Sequence, residues 1–138
     1  MHWLLALCLS CSPLVARADF AVVVPQGSPI QTLSEQEVAS IFLGKTNRFP
    51  NGDRALPLEL NDEQLRQRFY QKVSGKSLIQ LKSYWATLVF TGKGKPPRVL
   101  RDVADMERNL PNLPGAISYV PEEDVTEAMK VVYLVDVN

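Results

Sequence analysis

Two places in this chain carry residue types that could do chemistry: a basic glycine loop, Thr91-Gly92-Lys93-Gly94-Lys95, and the step Gly75-Lys76-Ser77. Both suit anions. The loop couples two glycines to two ammonium groups and is stiffened at its exit by Pro96-Pro97, so it is either a seat for an anion or acidic partner or a solvated connector. Gly75-Lys76-Ser77 looks like the end of a nucleotide phosphate loop, but that motif needs a glycine five residues before the Gly-Lys pair, and position 70 is Tyr70. What remains is Lys76 beside a helix start at Ser77, where free amides and the positive dipole end favour a small anion; the plainer alternative is capping alone. The acids Glu122, Glu123, Asp124 and Glu127 lack the alternating ligands and turning glycine of a calcium loop, so they read as the solvated face of a last helix and no metal site is expected.

The rest of the chemical repertoire depends on where the mature chain begins. Trp3 to Leu9 is an apolar run too short to cross a bilayer, and it is followed by Ala16-Arg17-Ala18, with small residues at the first and third positions before a cut. Residues 1–18 therefore read as a secretory signal peptide cleaved after Ala18, leaving one domain over residues 19–138. Cleavage removes His2, Cys8 and Cys11, the only histidine and cysteines in the chain. Without them Cys–His and Ser–His–Asp catalysis, disulfides and histidine-ligated metals are excluded. A Ser–Lys pair is not singled out by any spacing, so the chain is expected to be a non-enzyme with no cofactor. Lipidation at Cys11 is a competing fate, although Cys8-Leu9-Ser10 lacks the aliphatic start of a lipidation box.

With 138 residues, 46% hydrophobic and 22% charged, the chain has the composition of an ordinary one-core globular protein. Its neutrality hides an asymmetry. From Lys45 to Arg108 there are thirteen basic residues against seven acidic ones, while Pro121 to Asn138 holds five acids against Lys130. No nucleic-acid module is recognisable, so the basic middle reads as a solvated face or an anion-attracting patch rather than a nucleic-acid surface.

These residues must be positioned by regular elements. Ser77 opens a helix over the following apolar run, with Gln80 at its third position, Leu78, Leu81, Trp85, Leu88 and Val89 on one face and Gly92 as its stop. Before it, Phe20 to Val24 reads as a buried strand, and Ser34 and Glu37 form a capping box on a helix that turns Val38, Ile41 and Phe42 inward and stops at Gly44. Leu56 to Leu60 is a short strand; Asn61 caps a helix that buries Leu65, Phe69 and Val73 and ends at Gly75. After the loop, Val99, Val103, Met106 and Leu110 mark a further helix, Ala116 to Val120 a strand, Glu122 to Met129 a short acidic helix and Val131 to Val137 a last strand. The order predicts an α/β domain with a mixed sheet flanked by helices.

Taken together, Leu33-Ser34-x-x-Glu37-Val38-x-x-Ile41-Phe42-Leu43-Gly44-Lys45, Phe49-Pro50-Asn51-Gly52, Tyr84-Trp85, Phe90-Thr91-Gly92-Lys93-Gly94 and Pro114-Gly115-Ala116-Ile117-Ser118-Tyr119-Val120 resemble the type 2 periplasmic substrate-binding proteins. The match is nearest to the phosphate-binding component of phosphate ABC transporters, in a short, single-lobe form. The resemblance implies a periplasmic location, a single lobe of the type 2 periplasmic-binding-protein fold, and descent from a protein that captures phosphate and hands it to a permease. It covers nearly all of residues 19–138, with two departures. The chain is the size of one lobe, and the Ser/Gly/Thr-rich phosphate loop of the family is replaced by Asn61-Asp62-Glu63-Gln64.

Two functions follow as expectations. One is binding of phosphate or a similar small anion around Asn61, Lys76, Ser77 and the loop of Thr91, Gly92, Lys93 and Gly94. The other is a non-transporting module that docks on a membrane permease, sensor or porin through the aromatic and basic surface near Lys45 to Phe49 and Thr91 to Arg98.

Overall fold

The run of five apolar residues from Phe20 to Val24 can be satisfied only where both faces of a strand are covered, and that is where it lies. The computed structural model describes residues 19–135, so the expected signal peptide, its cut and Cys11 fall outside the described residues. Strand β1 (Phe20–Pro25) is buried at every position. It runs antiparallel to β4 (Ala116–Pro121) on one side and to β5 (Met129–Leu134) on the other. Beyond β4 lie β2 (Leu56–Leu60) and then the edge strand β3 (Arg98–Leu100), each parallel to its neighbour, which gives the order β3-β2-β4-β1-β5. The sheet is therefore mixed, as expected.

Helix α1 (Glu35–Phe42) starts at the Ser34–Glu37 capping box and buries Val38, Ile41 and Phe42. Helix α2 (Glu63–Ser74) buries Leu65, Phe69, Tyr70 and Val73 and ends at Gly75, whose φ of 69° is easy only for glycine. Between these helices and the sheet an aromatic cluster forms the core: Phe69 stacks on Tyr119 at 3.8 Å, and Phe42 meets both rings edge to face. Helix α3 (Leu78–Phe90) follows with its own box, Ser77 and Gln80, and buries Leu81 and Trp85. Helix α4 (Val103–Asn109) buries Met106 and continues into a 3-10 turn over Leu110–Asn112.

The structure departs from the sequence reading at four points. Val99 belongs to β3, not to a helix: Pro96-Pro97 hold the chain extended, and α4 starts only where Asp102 caps it. The expected acidic helix over Glu122–Met129 is a single 3-10 turn, Glu122–Asp124, and the last strand, expected from Val131, starts at Met129 opposite Pro25 and ends at Leu134. So short a segment cannot repay helix nucleation, while the strand ladder is there to be joined. Asn61 is not the cap of α2; Asp62 is, because the Asn61 amide still donates to Leu100 O at 2.9 Å. Val89, read as inward, lies at the margin of its helix face and is 55% exposed.

Candidate functional site

In an open α/β sheet, ligands are met outside the carboxyl ends of parallel strands, where helix N-termini converge. In this chain that edge is set by register. Leu60 of β2 lies beside Leu100 of β3, and the Leu58–Ser118 pairing brings Val120 of β4 to the same level. The turns Asn61–Glu63, Arg101–Asp102 and Pro121–Asp124 therefore share one side of the molecule.

At this edge each helix start already has one amide on a carboxylate of the chain. Asp62 Oδ1 accepts the Leu65 amide at 3.0 Å on α2, and Asp102 Oδ1 accepts the Asp105 amide at 2.8 Å on α4. The Arg101 amide in turn donates to Asp105 Oδ2 at 3.2 Å; that bond, ahead of the nearby Arg101 and Arg108 guanidinium groups, holds the Asp105 carboxyl below its usual range. Each helix start is thus served by a carboxylate of the chain itself, the role a bound anion would otherwise take.

Directly beneath the Asn61–Glu63 turn lies Glu59, 1% exposed and the only acid buried in a described strand. Tyr119 Oη donates a hydrogen bond to Glu59 Oε2, and Arg66 Nε stands 3.5 Å from the same oxygen. Burial is the largest influence on this carboxyl and raises its pKa, against the lowering effects of Tyr119, Arg66 and Tyr70. The cluster ties α2 to β2 and β4 from inside, so the turn above it is held by the core. Sequence reasoning missed this group, although one glutamate in the run LPLEL was the signal available.

The second candidate surface is built around Trp85. Tyr84 Oη donates to Leu43 O at 2.6 Å, fixing α3 to the end of α1. The Trp85 ring then fills the space beside two glycine turns: a Cβ on Gly44 would meet it at 3.2 Å and one on Gly94 at 3.7 Å. The basic residues that follow or flank these turns, Lys45 on one side and Lys93 and Lys95 on the other, are exposed around a single buried indole. A groove of about 430 Å³ runs between α1 and the Lys45–Pro50 segment, walled by Ser40, Lys45, Thr46, Arg48 and Phe49. Another of about 450 Å³ lies along Val89 and Gly92–Pro96. The two loops singled out from sequence are therefore neighbours, and Trp85 is the residue that makes them so.

The sequence-derived anion residues are distributed differently. Lys76 Nζ sits 5.1 Å over the Tyr84 ring, and the Ser77 hydroxyl accepts the Gln80 amide at 3.2 Å as a cap. Thr91 Oγ1 donates to Thr87 O at 2.8 Å, Gly92 takes a φ of 69°, and the Lys93 amide returns to Leu88 O. Thirteen residues of α3 separate Ser77 from Thr91, about 20 Å of helix, so these two groups do not form one site. Asn61 belongs to the strand-end edge. Among the described residues there is no cluster of three or more metal-ligating side chains and no helix long and apolar enough to cross a membrane.

No protein-family model matches the sequence, and no curated protein matches it. Solved structures do share its fold. The chain superposes on an ABC-type phosphate transport receptor from Vibrio cholerae with a TM-score of 0.61 at 13% identity, over 83% of this chain and 45% of that one. A Clostridium perfringens protein described as a phosphate ABC transporter substrate-binding protein, solved with bound phosphate, gives 0.63 at 14% identity, over 85% and 45%. A protein from Planctomyces limnophilus described as a possible phosphate-binding protein gives 0.62 at 12%, over 88% and 43%. The chain spans less than half the length of each, and its mixed sheet with flanking helices is one lobe of the fold they share.

Proposed function

We propose that this chain is a periplasmic, single-lobe relative of phosphate-transport substrate-binding proteins that serves a membrane uptake or sensing assembly as a docking lobe. The observation that carries the reading is Asp62. Its carboxylate occupies the N-terminus of α2 at the strand-end edge, so the place where this kind of fold would offer amides to an anion is filled by the chain's own charge. Residues 1–18 act as the signal peptide in this reading. The docking face is the surface around Trp85, where Lys45, Arg48, Lys93 and Lys95 offer cations beside Phe49 to an acidic loop of a permease, sensor or porin. Neither a catalytic group, a cofactor nor nucleic acid enters this reading. A photoreactive side chain placed in living cells at Asn47 or Thr91, exposed beside Lys45 and Lys93, tests it. The expected product is an adduct with a membrane protein that Lys45→Glu and Lys93→Glu together abolish; adducts at neither position contradict it.

A second reading has an observation of its own. One fold neighbour was solved with phosphate, and the loop of Thr91, Gly92, Lys93 and Gly94 is open to solvent beside a groove. In that reading phosphate or a similar small anion sits on this loop, or at Lys76 and Ser77, with Asn61 at the distant edge, and a second lobe or second copy supplies the opposite wall. Phosphate affinity separates the two readings.

A further inference from the structure

Helix α3 exposes two large apolar side chains, Ile79 and Phe90, on its outer face, among the polar Gln80, Lys82, Ser83 and Thr87. On a helical wheel Ile79, Ser83, Ala86 and Phe90 fall within an arc of about 60°. All four are exposed, Ile79 at 81% and Phe90 at 92%, and the stripe between them runs about 16 Å along the helix. Val89, 55% exposed, borders the stripe at its C-terminal end. An isoleucine and a phenylalanine left almost fully exposed at the two ends of one narrow arc, with only Ser83 and Ala86 between them, are the kind of apolar surface that an interacting neighbour covers.

Charge identifies the neighbour. Between Glu63 and Asp102 the chain has no acidic residue and nine cationic ones, and at the Ile79 end the stripe borders Lys82 and Arg66 with a single acid, Glu63. Lys82 flanks the stripe on α3, and Lys93, Lys95 and Arg98 follow Phe90 on the exposed loop and edge strand. A second copy laid on the same face would set these cations against their own images. An anionic lipid surface needs no shape match, only apolar side chains to sink below the headgroups and cations to lie among them.

We propose that the outer face of α3, with Ile79 and Phe90 as anchors and Lys82, Lys93, Lys95 and Arg98 as flanking charges, seats the protein on an anionic phospholipid bilayer. This surface shares Lys93 and Lys95 with the docking face above, but its anchors Ile79 and Phe90 lie outside that face and it needs no protein partner, since it asks only for lipid.

The test is vesicle co-sedimentation of the protein in the form the cell accumulates, using phosphatidylcholine vesicles with and without about one-third phosphatidylglycerol. The expected result is capture by the anionic vesicles only, weakened at least tenfold by about 0.5 M salt because exposed charges are screened there. Ile79→Ser with Phe90→Ser removes the anchors from positions that bury almost nothing, so the fold is retained, and capture should fall at least tenfold. Lys93→Glu with Lys95→Glu should lower it further, each charge being worth about fivefold. Any apolar leader still attached is common to all variants, and only the differences between them report on α3. The proposal is overturned by absence of capture at low salt, by capture that the serine pair leaves unchanged, or by a concentration-dependent dimer lost in the serine pair without lipid binding.

Discussion

Asp62 Oδ1 stands 3.0 Å from the Leu65 amide, and in that position a side chain of the protein meets the helix end that faces the carboxyl edge of the sheet. Replacing Asp62 by alanine leaves the amide without its acceptor. The expected cost is about 1 kcal/mol, seen as a fall of about 4 °C in Tm, and Asp62→Ser should recover most of it because serine caps nearly as well. Thermal melts of the two variants check this.

Gly115 stands where no other residue fits. A Cβ on it would collide with the Arg54 carbonyl oxygen, and that backbone cannot retreat because the Leu56 amide is bonded to Gly115 O at 2.8 Å. Gly115→Ala should cost about 3 kcal/mol by denaturant titration. Gly27→Ala, at a turn with nothing within 4 Å, should be neutral or stabilising by about 0.5 kcal/mol.

Glu59 makes stability depend on pH in a stated direction. Burial raises its pKa above the ordinary 4.5, so the folded protein holds this proton more tightly than the unfolded chain does. The contribution is complete below pH 4.5 and is lost as pH rises through the folded-state value. Glu59→Gln cannot lose a proton and still offers Tyr119 an acceptor, so its stability relative to the parent should improve steadily from acid to neutral pH. A difference between the two that stays constant across that range would contradict the assignment.

Trp85 couples the two basic loops, and its loss should release them together. Trp85→Ala removes a buried ring at a cost of about 3–5 kcal/mol. The smaller replacement Trp85→Phe should keep the fold while amide hydrogen exchange speeds up at residues 44–46 and 92–95 in parallel. Acceleration confined to one loop would show that they are not joined through the indole.

The elements that specify themselves locally could be read from the residues. Ser34–Glu37 and Ser77–Gln80 are closed capping boxes, Gly75 and Gly92 take the left-handed turns expected of them, and Phe20 to Val24 is buried on both faces. What escaped was set by distant partners. Arg98–Leu100 becomes a strand only because β2 is there to pair with it, and Met129 joins β5 because Pro25 lies opposite. The same holds for the site. The basic loops were visible as composition, whereas their meeting at Trp85 and the burial of Glu59 under the Asp62 turn depend on tertiary contacts.

Calorimetric titration of the purified protein with phosphate, with sulfate and chloride as controls, tests the central claim most directly. A docking lobe whose two helix starts at the strand-end edge are capped and made negative by Asp62 and Asp102 should give no saturable heat at millimolar phosphate and no gain in Tm. Saturable binding selective for phosphate over sulfate would contradict that account and show that a single lobe, or a pair of lobes, captures the anion.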